Sequence, residues 1–122
     1  MSLSPSSVIT AAKAIRQDES VTAQTVTDAL YLTFFKDGLK ALVAKAPRAR
    51  LQEIGLLAPI SDIDAVTTSN WTTELSWLDA QFHTPLVEYV LYGTYSHDSG
   101  DSRDRELAQA HLAAFFKFLG VQ

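Results

Sequence analysis

The chain has no cysteine. It therefore has no disulfide, no thiolate nucleophile and no sulfur ligand for a metal. That agrees with a reducing compartment, and a cytoplasmic protein is expected. The residues at the N-terminus, MSLSPSSV, lack a basic segment and a long apolar run, so no secretory signal is expected there. Apolar runs long enough to cross a membrane are also missing, so no membrane partner is expected. Glycine and proline are sparse, at 5 and 4 residues. From Leu51 to Ser102 there is no lysine or arginine at all.

What is present fits an ordinary globular protein. The 122 residues suit a single domain spanning 1–122, with 47% hydrophobic and 20% charged residues. A chain of this size buries roughly two-thirds of its unfolded surface and needs no staple.

Apolar spacing at three and four residues recurs along the chain and points to helices. Ser4-Pro5 opens a first helix, with Pro in the first-turn position where no N–H is needed. Val8, Ile9, Ala12 and Ile15 make its apolar stripe, up to about Gln17. The run from Thr22 to Ala46 carries two stripes on nearly opposite sides, Val26-Ala29-Leu30-Thr33-Phe34 and Phe35-Leu39-Leu42-Val43-Ala46. Asp37-Gly38 lies at the switch, and Gly commonly follows a helix end, so the expectation is two helices, 22–36 and 39–46, the alternative being one helix that changes neighbours midway. A helix with Leu51, Ile54 and Leu57 follows Pro47, and Ser61 caps a short turn. Trp71, Leu75, Leu78 and Phe82 form one helical stripe after the Thr67-Thr68-Ser69 linker. Thr84-Pro85 then starts a helix over about 85–95. Ser102 caps the last one, whose face holds Leu107, His111, Ala114, Phe115 and Phe118. The fold expected is all-α, about seven short helices in an orthogonal or superhelical array.

Catalytic signatures are weak. His97-Asp98-Ser99-Gly100-Asp101-Ser102 is the one loop rich in reactive groups. Gly100-Asp101-Ser102 resembles the opening of GDSL-type hydrolases, but that family places the motif near the start of an α/β domain with its histidine far downstream. Only twenty residues follow here, and the motif's Leu is replaced by Arg103. Asp98, Asp101 and Asp104 are spaced by three, which an EF-hand loop does not use. A small enzyme working through the His97–Asp101 loop is one alternative. His111, alone on an apolar face, reads as a core histidine and not as a haem or zinc ligand. No catalytic residue, cofactor or metal is assigned.

Charge is more informative. Lys36, Lys40, Lys45, Arg48 and Arg50 form a basic patch in sequence. The stretch from Leu51 to Ser102 instead holds eight acids: Glu53, Asp62, Asp64, Glu74, Asp79, Glu88, Asp98 and Asp101. One reading is an internal match of the two segments. The other is an acidic face that selects a basic partner. A net charge of −4 turns the expectation away from nucleic acid. On a helical wheel Trp77 falls about 120° from the centre of its stripe, beside Asn70, Glu74 and Gln81. A tryptophan rimmed by polar groups is a candidate interface anchor. The sequence thus points to a non-catalytic interaction module: an adaptor, complex subunit or regulator that binds another protein whose own surface is basic. An inhibitor or immunity-type protein with an acidic face is the second alternative. The apolar arc of the last helix, about 180° wide, exceeds what one neighbour needs, so that helix is expected either to be wedged between neighbours or to lie in a homo-oligomer seam.

Overall fold

The computed structural model describes residues 2–19, 27–45, 63–97 and 102–119. It is all-α in class. Four helices dominate the described residues: α1 (Pro5–Glu19), α2 (Asp28–Lys45), α3 (His83–His97) and α4 (Ser102–Leu119). Of the expected 22–36 helix, residues 22–26 lie outside the described residues, and the helix observed starts at Asp28, with the Thr27 hydroxyl accepting from the Leu30 N–H at 3.3 Å. The expected helix after Pro47 and the turn cap at Ser61 also lie outside them. Among the described residues there are four long helices, not the larger number of short ones expected there, for two reasons seen in the chain.

The first is Gly38. The expected break there does not occur, and α2 runs through it as one helix of 18 residues. An added Cβ at Gly38 would stand 3.1 Å from Cδ1 of Tyr89. The glycine therefore admits a neighbouring ring and does not end a helix. Its counterpart on α3 is Gly93, where a Cβ would come within 2.6 Å of the Phe34 ring. Phe34 and Gly38 are one turn apart on α2, and Tyr89 and Gly93 one turn apart on α3. The pairing Phe34–Gly93 and Gly38–Tyr89 makes the two helices cross in opposite directions, each aromatic filling the gap over the other's glycine. The switch of stripes in α2 is thus a change of neighbours along a continuous helix.

The second is the segment 70–82, which is not helical. A turn spans 67–72, Leu75–Asp79 is extended, and Ala80–Phe82 is one 3₁₀ turn. Asn70 explains the departure. Its side-chain Oδ1 accepts from the Thr67 N–H at 2.7 Å, and its Nδ2 donates to the Ala65 carbonyl at 3.0 Å. An amide that bonds nearby backbone in this way competes with helix formation. The chain is then held by the Ser6 N–H, which donates to the Trp71 carbonyl at 2.9 Å. Beyond it, β1 (Ser2–Leu3) meets β2 (Leu75–Asp79) antiparallel.

α3 is the central helix. It packs on α1, α2 and α4, and Leu86, Val87, Val90, Leu91, Gly93, Thr94 and Tyr95 are all buried. Its apolar octet LVEYVLYG therefore forms a helix buried on several sides, in agreement with the expected 85–95 helix. Thr94, the buried hydroxyl, donates to the Leu91 carbonyl at 3.0 Å. Phe35, Leu39 and Leu42 of α2 and Val8, Ile9 and Ala12 of α1 complete the core around it. In α1 the buried face is turned from the expected one. Arg16 is 4% exposed, whereas Ile15 is 37% exposed.

Candidate interaction surfaces

The expected Trp77 surface is built on extended chain. Ser2 lies opposite Asp79 and Leu3 opposite Leu75, so two residues of β1 face five of β2. Ser76, Trp77 and Leu78 have no counterpart in β1, and the register shifts between the two paired positions as in a wide bulge. Trp77 is the middle residue of that bulge. The Trp77 side chain lies outside what the structure describes. The helical phase that set Trp77 beside Asn70, Glu74 and Gln81 does not apply, because 75–79 is not helical. Glu74, next to the start of the bulge, is exposed, as are Asn70 and Gln81. The amide of Asn70 serves the 65–70 turn at both ends.

Trp71, the other tryptophan, packs against the main core. The two tryptophans therefore hold different positions, one at the core's edge and one in the bulge.

The basic patch divides. Lys40 Nζ stands 2.9 Å from Asp64 Oδ1, and Lys36 Nζ donates to the Asp64 carbonyl at 3.1 Å. Two of the five cations thus converge on one acid of the acidic stretch, which is the internal match foreseen for the two segments. Both lysine–Asp64 contacts are exposed and each contributes on the order of 0–1 kcal/mol. Their role is to place the 63–66 turn, whose Ile63 and Val66 are buried, against α2. Lys45 ends α2, and Arg48 and Arg50 lie outside the described residues.

The loop candidate is only partly in view. His97 ends α3, is exposed, and its ring is 6.1 Å from that of Phe34. Asp98, Ser99, Gly100 and Asp101 lie outside the described residues, and α4 starts at Ser102.

One polar cluster was not foreseen as a unit. His111 Nδ1 on α4 pairs with Glu88 Oε2 on α3. The imidazole stacks on the Tyr95 ring, with centroids 5.8 Å apart and planes within 7°. The Arg16 guanidinium of α1 lies 4.8 Å from the Tyr95 ring centroid. Arginine, phenol, imidazole and carboxylate thus join α1, α3 and α4. Stacking a guanidinium on an aromatic face is favourable and suits a buried arginine. The cluster is closed: Tyr95 is fully buried, and the His111 and Glu88 side chains are 12% and 19% exposed. Its chemistry is that of a structural clasp. Glu88 is the lone acid in an apolar helix and His111 the lone titratable group on an apolar face, so each was a signal for the other.

Two phenols have raised pKa values. Burial pushes Tyr31 up, and Asp28 adds to this while Arg16 and Lys13 oppose it. Burial likewise raises Tyr89, with smaller contributions from Tyr92 and Asp37. Lys13, which pairs with Asp28 at 2.6 Å, also lies 5.2 Å from the Tyr31 ring centroid. Among the described residues, no three His, Asp or Glu side chains converge as a metal site would require, and no helix is long and apolar enough to cross a membrane.

The fold and these surfaces define a helical protein with one bulged extended segment. No family model, curated protein or solved structure matches the chain.

Proposed function

We propose that this protein is a non-catalytic protein–protein interaction module, an adaptor, complex subunit or regulator, that receives a basic partner on the acidic surface around Trp77. The observation that carries the reading is the bulge. Ser76, Trp77 and Leu78 have no counterpart in β1. A bulge re-aims side chains and interrupts pairing, and such features are frequent beside functional sites. An aromatic ring there supplies contact area at small entropic cost. Exposed Glu74 lies three residues before it, within a stretch of 52 residues, Leu51 to Ser102, that has no lysine or arginine. Asp64 is met by Lys40 and Glu88 by His111, so the steering of a basic partner falls to exposed Glu74.

Trp77→Ala tests the reading. Stability should fall by less than ~1–1.5 kcal/mol, as for a surface site, while binding of the partner weakens by ~2 kcal/mol or more. Partner capture should also fade as salt is raised, since screening weakens contacts between exposed charges. A loss of ~3–5 kcal/mol in stability would place the ring in the core and remove this surface.

A further inference from the structure

We propose that a second copy of this chain docks along α4, the two C-terminal helices running antiparallel. The reading is independent of the Trp77 surface. Among the described elements, α4 packs chiefly on α3. Ala108 and Phe115 are buried there, at 2% and 0% exposure. Turned from that line by roughly 60–100° is a second stripe: Leu107, Ala114 and Phe118. Leu107 and Ala114 are half-buried, and Phe118, at 56%, is the most exposed large apolar side chain among the described residues. Leu107, Ala114 and Phe118 are seven and four residues apart, a spacing that lets two helices pack along a seam, while His111 between them is turned to Glu88 and Tyr95.

The charges beside the stripe select the occupant and its direction. Glu106 and Lys117 are both exposed, and at 100° per residue they fall within about 20° of one another on the same flank. They are eleven residues apart, or about 16 Å along the axis. In an antiparallel pair related by a two-fold axis, the Phe118 of each copy comes against Leu107 of the other. Glu106 of each copy then falls within about one turn of Lys117 of the other, twice over, which long side chains span. A parallel pair puts the two charged flanks on opposite sides of the seam, so neither Glu106 nor Lys117 finds its complement. Exposed Ala110, between the stripe and the charged flank, leaves room for close approach. A single helix pair buries less than a standard interface, so the dimer is weak, with a Kd on the order of 10–100 μM.

Sedimentation equilibrium across roughly 5–500 μM tests this, with circular dichroism confirming that each variant keeps its helices. Phe118→Asp should weaken dimerisation about 100-fold or more, as loss of a buried anchor does. Glu106→Lys alone and Lys117→Glu alone should each weaken it several-fold. Mixing these two variants should restore association, because the like charges in each are then complementary across the seam. Glu106 and Lys117 also suit the ends of the helix dipole. An effect on the dipole alone weakens each single variant but gives no recovery on mixing. Three results would overturn the proposal: a monomer throughout the concentration range, a dimer indifferent to Phe118→Asp, or a mixture no tighter than either variant alone.

Discussion

α3 and α4 are consecutive helices of similar length, 15 and 18 residues, joined by a short connection, yet they hold opposite positions. α3 is covered by three other helices and buries residues around most of its circumference. α4 rests mainly on α3 and buries one line of side chains. The difference follows from composition. From Leu86 to Gly93 the only charged residue in α3 is Glu88, and the His111 imidazole meets it. α4 alternates apolar residues with Arg105, Glu106, Gln109 and Lys117. A helix apolar on most sides is driven to the centre, and one with a single broad apolar stripe is driven to the periphery. The surplus of that stripe, beyond what α3 covers, is what makes α4 the candidate seam.

The largest expected effect breaks the contact between the two helices. Phe115 is fully buried, and its ring packs edge-on to Tyr89 with centroids 5.0 Å apart. Phe115→Ala should cost about 3–5 kcal/mol in denaturant unfolding. Phe118→Ala, one turn on, should change monomer stability by about 0.5 kcal/mol or less. A loss at Phe115 below ~1 kcal/mol would show that α4 is not anchored by that ring.

A second test sharpens the α2–α3 crossing. Gly93→Ala pushes a methyl group into the Phe34 ring, since no Cβ fits at 2.6 Å. The overpacking should cost about 1–3 kcal/mol, against up to ~1 kcal/mol gained in helix propensity. Gly38→Ala meets Tyr89 at 3.1 Å and should be nearer neutral. Replacing Phe34 with Leu should relieve the Gly93 variant and leave the Gly38 variant unchanged. Equal penalties in both glycine variants would contradict the pairing of Phe34 with Gly93.

The reading of the fold from sequence succeeded where a local signal and the tertiary context agree. Pro5 and Thr84-Pro85 mark α1 and α3 within two residues, and Ser102 opens α4. It failed where tertiary contact assigns a residue another role. Gly38 has the chemistry of a helix end, and only the Tyr89 ring across from it reveals a crossing point. The wheel at 70–82 has a convincing stripe, but Asn70 and the N-terminal chain divert the backbone. Arg16 replaces Ile15 at the buried face because Tyr95 offers a ring to stack on, a contact between residues 79 positions apart. The helical phase that singled out Trp77 does not hold, because Leu75–Asp79 is extended.

Smaller in effect is the alkaline limb of stability. Tyr31 and Tyr89 hold their protons more tightly when folded than when unfolded. Their contribution is therefore complete below the unfolded value of about 10 and is lost as pH rises through the folded values. The denaturation midpoint should fall above about pH 10, and more steeply in the native chain than in Tyr31→Phe. An identical alkaline slope in the two proteins would show that Tyr31 is not desolvated.

Residue-resolved native-state amide exchange, in protein dilute enough to be monomeric, tests the contrast between the two helices most directly. Amides of Leu91, Thr94 and Tyr95 in α3 should exchange only through global unfolding, and those of Ala108 to Phe116 in α4 through a smaller opening at lower free energy. Protection in α4 equal to or greater than that in α3 would contradict the account, because α4 would then be as much a part of the core as the helix it rests on.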